Sequence, residues 1–313
     1  MNRCSVYSNY AQGESFLGSG VPGTSYPIEN GGDAFGGGIF NAAQLAATNC
    51  TIALNSASGG TGAGNNPIGP NSEGEGGGGN AIGGGVFNNT NATWIALNLT
   101  IASNNCSSPF GFLSRTSPVF TNGMAVGAEV ANTNGMLRLH NTIIAYGGAG
   151  NAYGSITDDG YNISSDGTAS LSSPSSYNNT DPQLASLADN GGPTWCMALL
   201  PTSPAIDSGD SAGIPNTDQR GFVRPIGASP DIGAYEYGSY LLIGPYLNIT
   251  AIASDVLLSF TASPPSMYRL QASTNLTTWT DLTTYGSFAS PTNISQTISR
   301  LAFDCLYFRL LVQ

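Results

Sequence analysis

The chain has 313 residues, a formal net charge of −11 and 9% charged residues. Its eight basic residues are all arginine and thinly spread, which excludes a nucleic-acid footprint and a lysine base. Hydrophobic residues make up 40%, too many for disorder by composition, and no run of 18 apolar residues predicts a transmembrane helix.

The chain opens on Cys4-Ser5-Val6-Tyr7-Ser8-Asn9, which aligns with Cys50-Thr51-Ile52-Ala53-Leu54-Asn55. Phe35-Gly36-Gly37-Gly38-Ile39-Phe40-Asn41 returns as Ile82-Gly83-Gly84-Gly85-Val86-Phe87-Asn88. The second element returns as Asn98-Leu99-Thr100-Ile101-Ala102, as Asn141-Thr142-Ile143-Ile144-Ala145, and more weakly as Tyr161-Asn162-Ile163-Ser164. Cys4 to Cys50 is 46 residues, Cys50 to Leu99 is 49, and Leu99 to Thr142 is 43. Within a copy the two strands occupy roughly 22 residues, one turn of a parallel solenoid. The rest is Gly/Asn/Pro-rich excursion, over 13–34, 58–81 and 107–124.

These elements predict an all-β fold, a right-handed parallel β-helix over 1–180. From Leu97 onward the strand Trp94–Ile101 alternates apolar and polar, predicting a half-buried strand with inward Leu and Ile. Asparagines at repeated corners tolerate the left-handed conformation and can ladder between coils. The glycine triplets allow tight corners. Met1 falls inside a repeat element. Solenoids protect their ends, so missing upstream coils are expected, or an open edge used for stacking.

Five cysteines, an odd number without Cys-x-x-Cys, and one histidine make a zinc site improbable. The cysteines read as small core residues. Cys4 and Cys50 share one place in the repeat, and geometry decides whether they cross-link. Sequons such as those at Asn98 and Asn248 arise by chance in an Asn- and Thr-rich chain.

Residues 181–238 form a closing segment. It includes Asp189-Asn190-Gly191-Gly192-Pro193-Thr194-Trp195, Ser203-Pro204-Ala205-Ile206-Asp207-Ser208-Gly209, Thr217-Asp218-Gln219-Arg220-Gly221-Phe222 and Pro230-Asp231-Ile232-Gly233-Ala234-Tyr235-Glu236. With the repeats before it, this block resembles the choice-of-anchor type of bacterial surface protein. There such a block closes a run of parallel β-helix repeats like those of polymorphic outer-membrane proteins. The resemblance covers about 1–237. It implies export and an extracellular or cell-surface location, and it implies no activity. From the residues, Asp218, Arg220, Arg224 and Asp231 read as a charge-paired structural cap over the last coil.

From about Ser239 glycine thins out and strict alternation begins. Six strands are predicted, at 246–252, 256–262, 268–273, 279–284, 294–299 and 306–312. They predict a small immunoglobulin- or fibronectin-like β-sandwich over 239–313. The stretch from Tyr268 to Trp279 resembles a C-terminal module of secreted Verrucomicrobia and Planctomycetes proteins. Trp279 reads as a core residue ahead of a sugar platform.

Enzymes on parallel β-helices need clustered carboxylates with a basic residue, and a hydrolase needs two carboxyls at a set separation. The catalytic candidates are Asp158, Asp159, Arg138 and His140, with Asp33, Glu73, Glu75 and Arg115 behind them. Asp158-Asp159-Gly160 also reads as a turn, and His140 as an ordinary ladder residue. Calcium is the one cofactor left open, with Asp158, Asp159 and Asp166 as ligand candidates. The favoured expectation is a surface or secreted scaffold that binds a glycan or a protein. The alternatives are a polysaccharide lyase or glycoside hydrolase, and a fibre subunit that stacks on other copies of itself. No nucleic-acid partner is expected.

Overall fold

The structure is a computed structural model, and it describes residues 1–16, 29–62, 76–109, 122–239, 247–252, 255–262, 267–286, 288, 292–299 and 307–312. Glu73, Glu75, Arg115 and Cys305 lie outside the described residues. The described chain is all-β without a helix. It divides into two units, Met1–Tyr240 and Leu241–Gln313.

In the first unit the repeats lie parallel and in register. The largest sheet takes Ser5–Tyr7, Gln44–Ala53 and Thr93–Ala102. It continues through Met136–His140 with Ile143–Ala145, and ends on Thr157–Asp158 with Ile163–Ser164. Val6 pairs with Ile52, Ile52 with Ile101, and Ile101 with Ile144. Three smaller parallel sheets collect the other elements. Tyr10–Gln12, Ser56–Ser58 and Asn105–Ser107 form one, and Ala34–Phe35, Ala81–Ile82 and Ala125–Val126 another. Ile39–Asn41, Val86–Asn88, Val130–Asn132 and Ala152–Tyr153 form the last. None of these sheets closes on itself.

Like residues fall into columns because strand neighbours lie about 4.8 Å apart. Cys50, Ile52, Leu99, Ile101 and Ile144 pack inward with Val86, Trp94, Val130, Leu137 and Leu139. Columns of asparagine bridge the repeats. Asn41 Nδ2 donates to Asn88 Oδ1 at 2.7 Å, and Asn88 Nδ2 to Asn132 Oδ1 at 2.9 Å. At a second corner Asn9 donates to Asn55, and Asn55 to Asn104, each at 2.9 Å. Asn49, Asn98 and Asn141 hold left-handed φ values of 51°, 53° and 48°, tolerable for Asn more than for most residues. Of each Gly triplet only the first member, Gly36 or Gly83, has positive φ. The second is needed for close approach: a Cβ on Gly84 would stand 2.2 Å from the Asn105 carbonyl oxygen.

The long strands differ from the expectation in one respect. Their half-buried part comes first: Trp94 and Ala96 are buried and Ile95 is 48% exposed. From Asn98 to Ala102 every residue is buried. The closing segment supplies the second cover. Met197, Leu199, Ala205 and Ile232 pack against Ala53, Ala102, Ile143, Ala145 and Ile163. A strand covered on both faces loses its need for outward polar residues.

The second unit holds two antiparallel sheets. One orders Asn248–Ile252, Asp255–Ala262 and Thr292–Ser299; the other orders Thr280–Tyr285, Tyr268–Ser273 and Tyr307–Val312. Phe260 of the first and Tyr268 of the second lie 5.4 Å apart within one cluster that also takes Tyr285, Ile294 and Leu310. Trp279 stands outside that cluster, half-buried, with the Arg309 guanidinium 4.2 Å from its ring centre.

Candidate functional site

The open half of the long sheet carries the charged residues. Met136–His140 turns Leu137 and Leu139 inward and leaves Arg138 outward, by the period of two. Arg138 forms a bidentate pair with Asp159, Nε to Oδ2 at 2.8 Å and Nη2 to Oδ1 at 2.7 Å. The Asp159 hydrogen bond is the main cause that raises the Arg138 pKa. His140 places Nδ1 3.1 Å from the Asp159 carbonyl oxygen. Its Nε2 stands 3.5 Å from Asp210 Oδ2, and its ring meets Tyr161 edge-on.

Asp210 escaped the reading of the sequence, since it lies 70 residues from His140 in the closing segment. The neighbouring Asn141 holds it. Asn141 Nδ2 donates to the Asp210 carbonyl, and the Asp210 N–H donates to Asn141 Oδ1, both at 2.9 Å. The only available signal was the Ser208-Gly209-Asp210 turn, and such turns are common.

Asp158 turns away from Asp159. Its Oδ2 accepts from the Ser172 and Ser173 amides. Its Oδ1 accepts from Gly160, Asn162 and Ser176. Burial raises its pKa, but these hydrogen bonds outweigh burial and leave it below the ordinary value. Asp166 resolves the same way: burial raises it, and bonds from Thr168, Asn151 and Ser164 bring it below normal. These lone pairs are committed to holding Ser164–Thr180 against the last repeat, where Tyr177 bridges Ile163. Asp158, Asp159 and Asp166 therefore do not converge as a calcium-ligand set. Among the described residues no three His, Cys, Asp or Glu are grouped for a metal. Asp33 accepts the Asn80 amide at 2.7 Å, away from the others.

Asp218, Arg220, Arg224 and Asp231 are brought together, but not over the last coil. Their segment runs along the outward side of the stack. Thr51 Oγ1 donates to Gln219 Oε1, the Ala234 amide to Thr100 Oγ1, and the Gly233 amide to the Asn141 carbonyl. The apolar outward column of Ala53, Ala102 and Ala145, with Ile143 beside it, draws the segment there. The far end is closed instead by residues 164–180. Arg220 pairs with Asp218 at 2.7 Å, between the rings of Phe222 and Tyr235. Arg224 pairs with Glu236 at 2.9 Å, both fully buried. Burial, then the Glu236 charge, raises Asp231 to about 7. Glu236 completes this network and was not among the expected cap residues.

No protein-family model, curated protein or solved structure matches this chain. The choice-of-anchor resemblance thus rests on its motifs alone. No described helix is long and apolar enough to cross a membrane.

Proposed function

We propose that the protein is an extracellular or cell-surface binding scaffold of adhesin type, and that the open half of the long sheet is its contact face for a glycan or protein. In this reading the first unit is a right-handed parallel β-helix. The second is a small immunoglobulin- or fibronectin-like sandwich, and the chain is of the choice-of-anchor kind.

One observation carries the reading. Arg138, Asp159, His140 and Asp210 gather on an open sheet face, beside Ile95 and Met136, which are 48% and 52% exposed. Arg138 spends Nε and Nη2 on Asp159, so its other N–H groups remain for a ligand. A sugar ring offers hydroxyls at its edge and C–H groups on its face, which suits a charged cluster flanked by exposed apolar side chains. Catalysis finds less support. Asp158 and Asp166 are saturated by hydrogen bonds, and Asp159 is tied to Arg138, so none of these three candidates offers a free carboxyl. Fibre growth by end-to-end stacking also finds less support, because Tyr177 occupies the edge of Ile163–Ser164.

A glycan array run beside an assay for unsaturated-sugar release tests this. Binding that Arg138→Ala abolishes, with no sugar released, is the expected result. Release of unsaturated product would replace the binding reading with a lyase. Binding unaffected by Arg138→Ala would remove this face from consideration.

A further inference from the structure

We propose that Cys4 and Cys50 form an intramolecular disulfide in an oxidising medium, stapling the first strand of the stack to its neighbour. Ser5 pairs with Thr51 and Val6 with Ile52 in parallel register, so Cys4 lies directly beside Cys50. Neighbouring strands are about 4.8 Å apart, within the roughly 4.4–6.8 Å range of Cα separations that disulfides span. The Cys50 thiol already reaches Cys4: the Cys4 backbone amide donates to Cys50 Sγ at 3.4 Å. Each Sγ donates to the carbonyl two residues earlier, Asn2 or Thr48, so both lie on the same side of the sheet.

The other described thiols are placed differently. Cys106 stands in another sheet, opposite Ala57, and Cys196 is fully buried against Asn190. Cys4 is the one partly exposed member of the four. That difference sets the order of events. With oxidised glutathione as oxidant, the Cys4 thiolate attacks one glutathione sulfur, the glutathione S–S bond breaks, and one glutathione thiolate leaves. Cys50 then loses its proton to solvent, and its thiolate attacks Cys4 Sγ. The Cys4–Cys50 bond forms and the second glutathione leaves as thiolate. Two protein thiols are oxidised and one oxidised glutathione becomes two reduced ones. Burial raises the Cys50 pKa to about 11, so the second step is slow and accelerates with pH, because only the thiolate attacks.

The proposal stands on strand register and is independent of the binding function. Its test uses the full chain, reduced and then equilibrated with a mixture of reduced and oxidised glutathione. The expected result is loss of two of the five thiols, a Cys4–Cys50 bond in a non-reducing peptide map, and a melting temperature raised by several degrees. The glutathione adduct on Cys4 appears first and decays faster at pH 9 than at pH 7. In Cys4→Ser no thiol pair is lost. In Cys50→Ala the adduct on Cys4 persists. Should Cys50→Ala fail to fold, Cys4→Ser at the partly exposed position still decides. Retention of all five thiols, an adduct that never resolves in the unaltered chain, or a bond from Cys4 to any other cysteine would overturn it.

Discussion

One strand, Thr93–Ala102, passes through two environments. Over Thr93–Leu97 one side chain in two is buried; over Asn98–Ala102 all are. The backbone pairing is the same in both halves, with parallel neighbours in register on each side. The difference comes from what lies outside the sheet. The second half carries Thr100 and Ala102 outward, with Ile143 in the next repeat. The closing segment covers them and hydrogen-bonds to Thr100 and Asn141. The first half carries Ile95, Met136 and Arg138 outward and stays open. The protein thus divides one sheet into a fastened half and a free half.

The largest effect should come from undoing the fastening. Arg224→Ala leaves Glu236 buried without its cation, beside Asp231. Breaking one side of a buried pair costs about 3–5 kcal/mol. Chemical denaturation should show a loss of that size, and limited proteolysis should cut within 197–236 before the repeats. A loss below about 1 kcal/mol, typical of surface sites, would mean the segment is not fastened there.

The comparison itself is tested by paired substitutions at outward positions. Ile143→Ala opens a cavity under the closing segment, and such changes cost about 2–5 kcal/mol. Ile95→Ala, also outward but in the free half, should stay within about 0.5 kcal/mol. Equal costs at the two sites would erase the distinction.

Much of this fold was legible in the sequence, and the reasons are local. In-register pairing places equal residues beside equal residues, so Ile52, Ile101 and the corner asparagines announce the stack. The placement of the closing segment was not legible. Its contacts join residues such as Thr51 and Gln219, 168 positions apart, and no short-range pattern encodes them. One hint was available: Cys50-Thr51-Ile52-Ala53 has no charge and hardly any polar alternation, which marks a strand buried on both faces. A second detail is readable once the columns are known. Where Asn9, Asn55 and Asn104 stand at a corner, the next repeat has Gly147. Where Gly38 and Gly85 stand opposite, that repeat has Glu129. The Glu129 carboxyl takes the place of the missing amide and accepts from both the Asn104 backbone and its Nδ2.

That exchange yields a pH dependence. Glu129 is fully buried, and burial raises its pKa well above the ordinary value despite the bonds from Asn104. A raised carboxyl means that the folded chain holds more protons than the unfolded one. Its contribution is complete below the unfolded pKa, near about 4.3, and is lost as pH rises through the folded value. Asp231, raised to about 7, acts with the same sign. Stability should therefore fall as pH rises from 5 to 8. Glu129→Gln should be about 1 kcal/mol weaker at pH 5, since its amide presents a donor to Asn104, but should fall less steeply with pH. Parallel slopes for the two proteins in urea titrations at several pH values would show that Glu129 does not titrate in that range.

The smallest effect on stability belongs to the free half, where the largest effect on binding is expected. Arg138 has a side chain 45% exposed, and its partner Asp159 is 29% exposed. Water and salt screen exposed pairs, which contribute little to stability, so Arg138→Ala should leave the denaturation midpoint almost unmoved. A fold that needs neither charge can spare both for contact. If Arg138→Ala instead unfolds the chain, the pair serves the stack and the contact face must lie elsewhere. If the variant folds and binding of the selected glycan or protein falls by tenfold or more, about 1.4 kcal/mol, the division holds. One half of the sheet is then fastened by the closing segment, and the other is held ready for a partner.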